Sequence, residues 1–156
     1  MDRITSGPCD LPGTAASVGS VASAQPSSRI LLLDDSLFTR TMLAAELREL
    51  GFVVDAASSL AEAHAALAAH TPDIAIIDVF LEDGPSGLEV ARSLRSNPST
   101  ALTFVIALSG HYAPDSLKLA HEAGCDRFLV KPCPIDVLIE TIEHFLGGVR
   151  QSAAAS

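Results

Sequence analysis

No run of apolar residues in this 156-residue chain approaches the ~18 that a membrane span requires, although 48% of its residues are hydrophobic. A soluble protein with no membrane partner is expected. Basic residues are also scarce. Lys and Arg number 10 against 19 Asp and Glu, for a net charge of -9. Binding a nucleic-acid backbone needs clustered Lys and Arg, so no nucleic-acid partner is expected. Cysteines are few and odd in number, and Cys9, Cys125 and Cys133 lack metal-ligand spacing. They read as reduced thiols of a cytosolic protein without a disulfide framework. Residues 1–28 are rich in Ser, Ala, Gly and Pro and lack any hydrophobic period. Such a stretch buries too little apolar surface to offset its ordering entropy, and a disordered tail is expected there. Pro8, Pro12, Gly13, Gly19 and Pro26 also interrupt any signal-peptide core.

What is present begins with Ile74-Ala75-Ile76-Ile77, which runs straight into Asp78 and then into a loop containing Asp83-Gly84-Pro85-Ser86-Gly87. A short apolar run between turn signals reads as a strand buried on both faces of a parallel sheet. The carboxylate at its end emerges at the edge where open α/β sheets bind ligands. Four more strands precede or follow it, at Ile30–Leu33, Phe52–Val54, Phe104–Leu108 and Phe128–Val130.

Helical periods fill the intervals. Ser36–Leu50 carries Leu43, Leu47 and Leu50 on one face and stops at Gly51. Ser59–Ala69 has Ser58 or Ser59 as its cap. Leu88, Ala91 and Leu94 mark a third helix closed by Asn97-Pro98, and Asp115–Ala123 a fourth, closed by Gly124. The last carries Ile135, Leu138, Ile139, Ile142, Phe145 and Leu146 and is expected to end at Gly147-Gly148. Five βα units in a row predict one parallel sheet with helices on both faces.

Four of the five strands deliver a polar residue at one edge: Asp34-Asp35, Asp78, Ser109 and Lys131. Singly, each is an ordinary turn former, cap or solvated loop residue. Together they need a common cause. Three carboxylates in one place repel one another, and a shared divalent cation is the simplest relief. Oxygen-only ligands suit Mg²⁺, and a lysine and a hydroxyl nearby are what a phosphoryl group requires.

From Arg29 to Gly148 the chain resembles the receiver domain of two-component response regulators. The resemblance lies in Asp34-Asp35, Asp78, Ser109, Lys131-Pro132 and the aromatic Phe128 three residues before the lysine. It implies a flavodoxin-like, doubly wound (βα)5 fold with strand order 2-1-3-4-5. It also implies phosphoryl transfer to Asp78 from a phosphohistidine on a sensor histidine kinase or histidine phosphotransfer protein. Mg²⁺ would be held by Asp35, Asp78 and the backbone carbonyl of Phe80, with Asp34 acting through water. Lys131 would pair with the phosphoryl oxygens. Ser109 and Phe128 would form the switch, acting on a downstream protein through the face of the fourth helix, fifth strand and fifth helix. The loop after Asp78 departs from the family pattern, with Glu82 where a proline is common and Gly87 one residue late.

Two phosphate-handling alternatives fit less well. A haloacid-dehalogenase-type phosphatase needs an acid two residues after its nucleophile, where this chain has Phe80. A flavodoxin-like cofactor protein needs a phosphate-cradling first loop, which the acidic pair would repel. The remaining alternative is a degenerate receiver acting only as an interaction module. His64, His70, His121 and His144 read as surface positions, whereas His111 is expected to overlook the site. Cys133 reads as structural.

The expectation is a cytoplasmic, single-domain response regulator over 29–148, with a short disordered tail at 149–156. It is expected to have no independent enzyme activity. Its output would come through protein contacts, as a relay shuttle, a sink or a direct binder of an effector.

Overall fold

A computed structural model describes residues 28–82, 86–110 and 114–155, with side chains of the last helix through residue 147. The expectations for the tail before residue 28, Cys9, Asp83-Gly84-Pro85 and His111 lie outside these residues. The elements alternate as β1 (Arg29–Leu33), α1 (Leu37–Glu49), β2 (Val53–Ala57), α2 (Leu60–Ala69), β3 (Ile74–Asp78), α3 (Leu88–Ser96), β4 (Phe104–Ser109), α4 (Pro114–Glu122), β5 (Arg127–Val130) and α5 (Ile135–Ala155). All four strand pairings are parallel and the order is β2-β1-β3-β4-β5. That is the doubly wound order implied by the resemblance to receiver domains.

Period-2 alternation along the strands divides the apolar side chains between the two faces of the sheet. Leu31, Leu33, Ala75, Ile77, Val105 and Ala107 pack with Ala63, Val90, Leu94 and Ala120 of α2, α3 and α4. Ile30, Leu32, Ile74, Ile76, Ile106 and Leu108 pack with Leu47, Leu138, Ile142 and Leu146 of α1 and α5. Because both faces are covered, β3 and β4 are buried at every position.

Local signals set the helix ends. Ser36 and Ser59 cap α1 and α2 by accepting from the amides of Thr39 and Glu62. Glu62 reaches back to the Ser58 amide at 2.7 Å, closing a reciprocal cap. Gly51 and Gly124 take φ of 101° and 97°, the left-handed conformation that ends a helix.

Two boundaries differ from expectation by more than one residue. β2 runs Val53–Ala57, not Phe52–Val54, because pairing with β1 from Arg29↔Val53 to Leu33↔Ala57 outweighs the weak strand propensity of Asp55-Ala56-Ala57. α5 continues to Ala155 and does not stop at Gly147-Gly148, so residues 149–155, expected as a tail, extend the helix. Each glycine costs a helix about 1 kcal/mol relative to alanine, and the strong helix formers that follow, including Ala153-Ala154-Ala155, offset that cost.

At the sheet's other end, Arg95 of α3 donates to the carbonyls of Ala101, Thr103 and Gly124 and to the Asp126 carboxylate at 2.7–3.0 Å. It ties the loops before β4 and β5 to one guanidinium. No helix among the described residues is long and apolar enough to cross a membrane.

Candidate functional site

Strand register brings the acids together. β1 and β3 are neighbours, with Leu33 opposite Ile77, so the next residues of the two chains, Asp34 and Asp78, leave the sheet side by side. This is also where strand order reverses, and the crevice of a doubly wound sheet opens there. β4 and β5 pair Ser109 with Val130, and the Lys131 amide then donates to the Ser109 carbonyl at 2.7 Å. That contact turns Lys131 back toward the acids. The Lys131–Pro132 peptide bond is cis.

Asp34 is fully buried and Asp78 is 5% exposed. The Lys131 ammonium donates to Asp34 Oδ2 at 2.9 Å and to Asp78 Oδ2 at 3.3 Å. The other Asp34 oxygen accepts from the Ser36 amide at 2.8 Å, and Asp78 Oδ1 accepts from the Phe80 amide at 3.3 Å. Asp35 is half-buried and accepts from the Glu82 amide across the crevice. Two carboxylates therefore share one ammonium, and a third lies beside them.

Burial pushes the Asp78 carboxyl up to about 6. Lys131 opposes that rise, and Asp34 and Asp35 add to it. Burial alone would lower the Lys131 pKa. Its hydrogen bond to Asp34 and the charge of Asp78 prevail, so the net shift is upward and the ammonium stays charged.

Asp34, Asp35 and Asp78 each offer one carboxylate oxygen within 4.8 Å of the others. An all-oxygen donor set with excess negative charge fits a hard cation such as Mg²⁺.

The loop that follows Asp78 is closed by a bridge between Phe80 and Ser86, and Gly87 donates its amide to the Val79 carbonyl at 3.0 Å. A Cβ on Gly87 would lie 2.0 Å from the Asp78 carbonyl oxygen. The extra residue in this loop therefore leaves the glycine packed against the acceptor strand.

Of the residues singled out from the sequence, Asp34, Asp35, Asp78 and Lys131 converge. Ser109 ends β4 fully buried, and Phe128 on β5 packs partly buried against the α2–α4 core. Phe80 lies at the rim with its surface 49% exposed. His64, His70, His121 and His144 are exposed, as expected.

Sequence reasoning missed two features. Arg40 of α1 donates to the Asp34 carbonyl at 2.8 Å. Leu37, Phe38 and Met42 are exposed on α1, and Phe38 and Met42 line a cleft of about 370 Å³ with Leu108, Lys131 and Cys133. The signal was present, since these three apolar residues fall outside the Leu43/Leu47/Leu50 stripe.

Comparison with known proteins agrees with this geometry. Residues 30–143 match the response regulator receiver domain model. A gliding motility regulatory protein of Myxococcus xanthus is 33% identical over 79% of this chain and 16% of its own length. The transcriptional regulatory protein PhoP of Escherichia coli K12 is 30% identical over 82% of this chain and 55% of its own length. The chain thus spans about half or less of these curated relatives. Among solved structures, the chemotaxis protein CheY4 of Vibrio cholerae superposes with a TM-score of 0.70 at 26% identity, covering 76% of this chain and 98% of that one. With five parallel strands in the order 2-1-3-4-5 and a family match across the sheet and the acid cluster, the chain belongs to the receiver domains of two-component response regulators.

Proposed function

We propose that Asp78 accepts a phosphoryl group from a phosphohistidine on a sensor histidine kinase or histidine phosphotransfer protein, and that the phosphorylated domain signals through protein contacts in the cytoplasm. The observation that carries this reading is the convergence of the Asp34, Asp35 and Asp78 carboxylates within 4.8 Å, with Lys131 donating to two of them. In the transfer, a carboxylate oxygen of Asp78 attacks phosphorus in line, an O–P bond forms, and the N–P bond to the donor imidazole breaks. Asp78 is mostly ionised at pH 7.5 even with its pKa near 6, so the nucleophile needs no separate base.

Asp35, Asp78 and the Phe80 carbonyl would hold Mg²⁺, with Asp34 assisting through water. Bound there, the ion would neutralise charge on the phosphoryl oxygens. Lys131 is already fixed beside Asp78 and would pair with the same oxygens, and the Ser109 hydroxyl would donate to them. The exposed Leu37, Phe38 and Met42 beside this cleft favour a protein as the natural donor. Output is assigned to the α4–β5–α5 face, where Leu117, Leu119, Val130 and Val137 are exposed and Phe128 lies beneath.

Incubation with a small phosphodonor and Mg²⁺ should add one phosphoryl group to the intact mass. A chelator should suppress the addition, and Asp35→Asn should label about tenfold more slowly. Equal labelling with chelator present would remove the metal from the account.

The lifetime of the phosphoryl group should depend on Phe80. Hydrolysis needs a water in line with the O–P bond, and a half-exposed ring two residues beyond Asp78 screens that approach without offering a hydrogen bond. Phe80→Asn should lose phosphate roughly threefold to tenfold faster, a change of about 1 kcal/mol in barrier. An unchanged decay rate would show that Phe80 only packs at the rim.

A further inference from the structure

Arg40 reaches back to the acid cluster from the first turn of α1. Its guanidinium donates to the Asp34 carbonyl at 2.8 Å, and its own amide donates to the Ser36 carbonyl at 2.9 Å. The Ser36 amide in turn donates to Asp34 Oδ1 at 2.8 Å, and the Asp34 amide donates to the Ala57 carbonyl at 3.1 Å. The carbonyl that Arg40 holds belongs to the peptide joining Asp34 to Asp35. A peptide unit is planar, so fixing its oxygen fixes the direction in which the chain delivers Asp35. Asp34 is locked in place by Lys131 and Ser36. Asp35 is half-buried, and among the described residues the facing loop reaches it through the Glu82 amide. Its placement therefore depends on the backbone behind it.

We propose that Arg40 is a positioning residue for divalent-cation binding, acting through the Asp34–Asp35 peptide. This rests on the reading of the acid cluster as the Mg²⁺ site. Electrostatics alone gives the opposite expectation, because a nearby guanidinium repels a divalent cation and its removal should tighten binding. The sign of the effect therefore separates positioning from charge.

The experiment is a Mg²⁺ titration of the unphosphorylated full chain, followed by amide chemical shifts, for wild type, Arg40→Met, Arg40→Lys and Arg48→Met. Methionine keeps an aliphatic stem and removes the donor, whereas lysine keeps one donor and the charge. Arg48 is the control, since on the same helix it donates in the same manner to the Val54 carbonyl at 2.8 Å, away from the acids.

Arg40→Met should weaken Mg²⁺ about tenfold, as loss of an outer partner of a metal ligand commonly does. Arg40→Lys should recover most of that loss, and Arg48→Met should bind as wild type does. If wild type binds no Mg²⁺, the metal reading itself fails. If wild type binds it and Arg40→Met binds as tightly or more tightly, Arg40 does not position the site. Equal weakening by Arg48→Met, or no recovery with lysine, would make the effect one of general helix packing and would overturn the proposal.

Discussion

Asp78→Asn is expected to take up no phosphoryl group where wild type labels fully, and to be the more stable protein when metal is absent. The amide cannot act as the nucleophile, so the first half follows from chemistry. The second half follows from burial. The Asp78 carboxyl moves from its ordinary 3.8 to about 6 in the folded protein, mainly because its surroundings exclude water. The folded state thus binds this proton more tightly than the unfolded state does. Asp78's contribution to stability accordingly falls as pH rises from about 4 to about 6 and stays low above that range. Each tenfold change in proton affinity is worth about 1.4 kcal/mol, so the penalty at neutral pH is about 3 kcal/mol. Asparagine keeps the shape and removes the charge, while Lys131 keeps Asp34 as its partner. Urea unfolding in the presence of a chelator should show a gain of about 2 to 3 kcal/mol at pH 7.5, shrinking toward zero near pH 4. A gain that is the same at both values would assign the effect to packing instead of charge.

Gly87→Ala is expected to cost about 3 kcal/mol, at the upper end of overpacking penalties. The added methyl would sit 2.0 Å from the Asp78 carbonyl oxygen and 2.8 Å from Ile77 Cγ2. Both belong to β3, which is buried throughout and paired on both sides, so the strand cannot yield. The φ of Gly87 is -60°, which alanine adopts freely, so the penalty comes from contact and not from backbone conformation. Since the displaced atom is the carbonyl of the acceptor residue itself, labelling should slow as well. Thermal or urea unfolding checks the first effect and intact mass the second. Stability within 0.5 kcal/mol of wild type, the usual range for a surface substitution, would show that the α3 start can shift away freely.

The buried strands and the acids at their ends were legible in the sequence because both depend on patterns the chain states locally, whereas the strand order came from the resemblance to receiver domains. Ile74–Ile77 is apolar at every position, which fits a strand covered on both faces, and Asp34, Asp78 and Lys131 stand directly after such runs. Parallel register then converts similar positions along each strand into proximity in space. What the sequence did not show depends on partners distant along the chain. Arg95 reads as one more polar residue near the end of a helix, yet its bonds go to carbonyls 6, 8 and 29 residues away. β2 continues through Asp55-Ala56-Ala57 because β1 lies alongside, not because those residues favour strand. Gly147-Gly148 reads as a stop, but Gly147 has no left-handed φ and the helix continues. Glycine permits a helix end without requiring one.

The central claim is that the phosphoryl group resides on Asp78, and chemical trapping of the labelled protein tests it most directly. Borohydride reduces an acyl phosphate to the alcohol, releasing phosphate and leaving a permanent mark on the side chain that carried it. Peptide mapping of wild type after labelling with Mg²⁺ and reduction should place that mark at residue 78 and nowhere else. A mark at Asp34 or Asp35, or label that survives reduction on Ser109 or a histidine, would contradict the account.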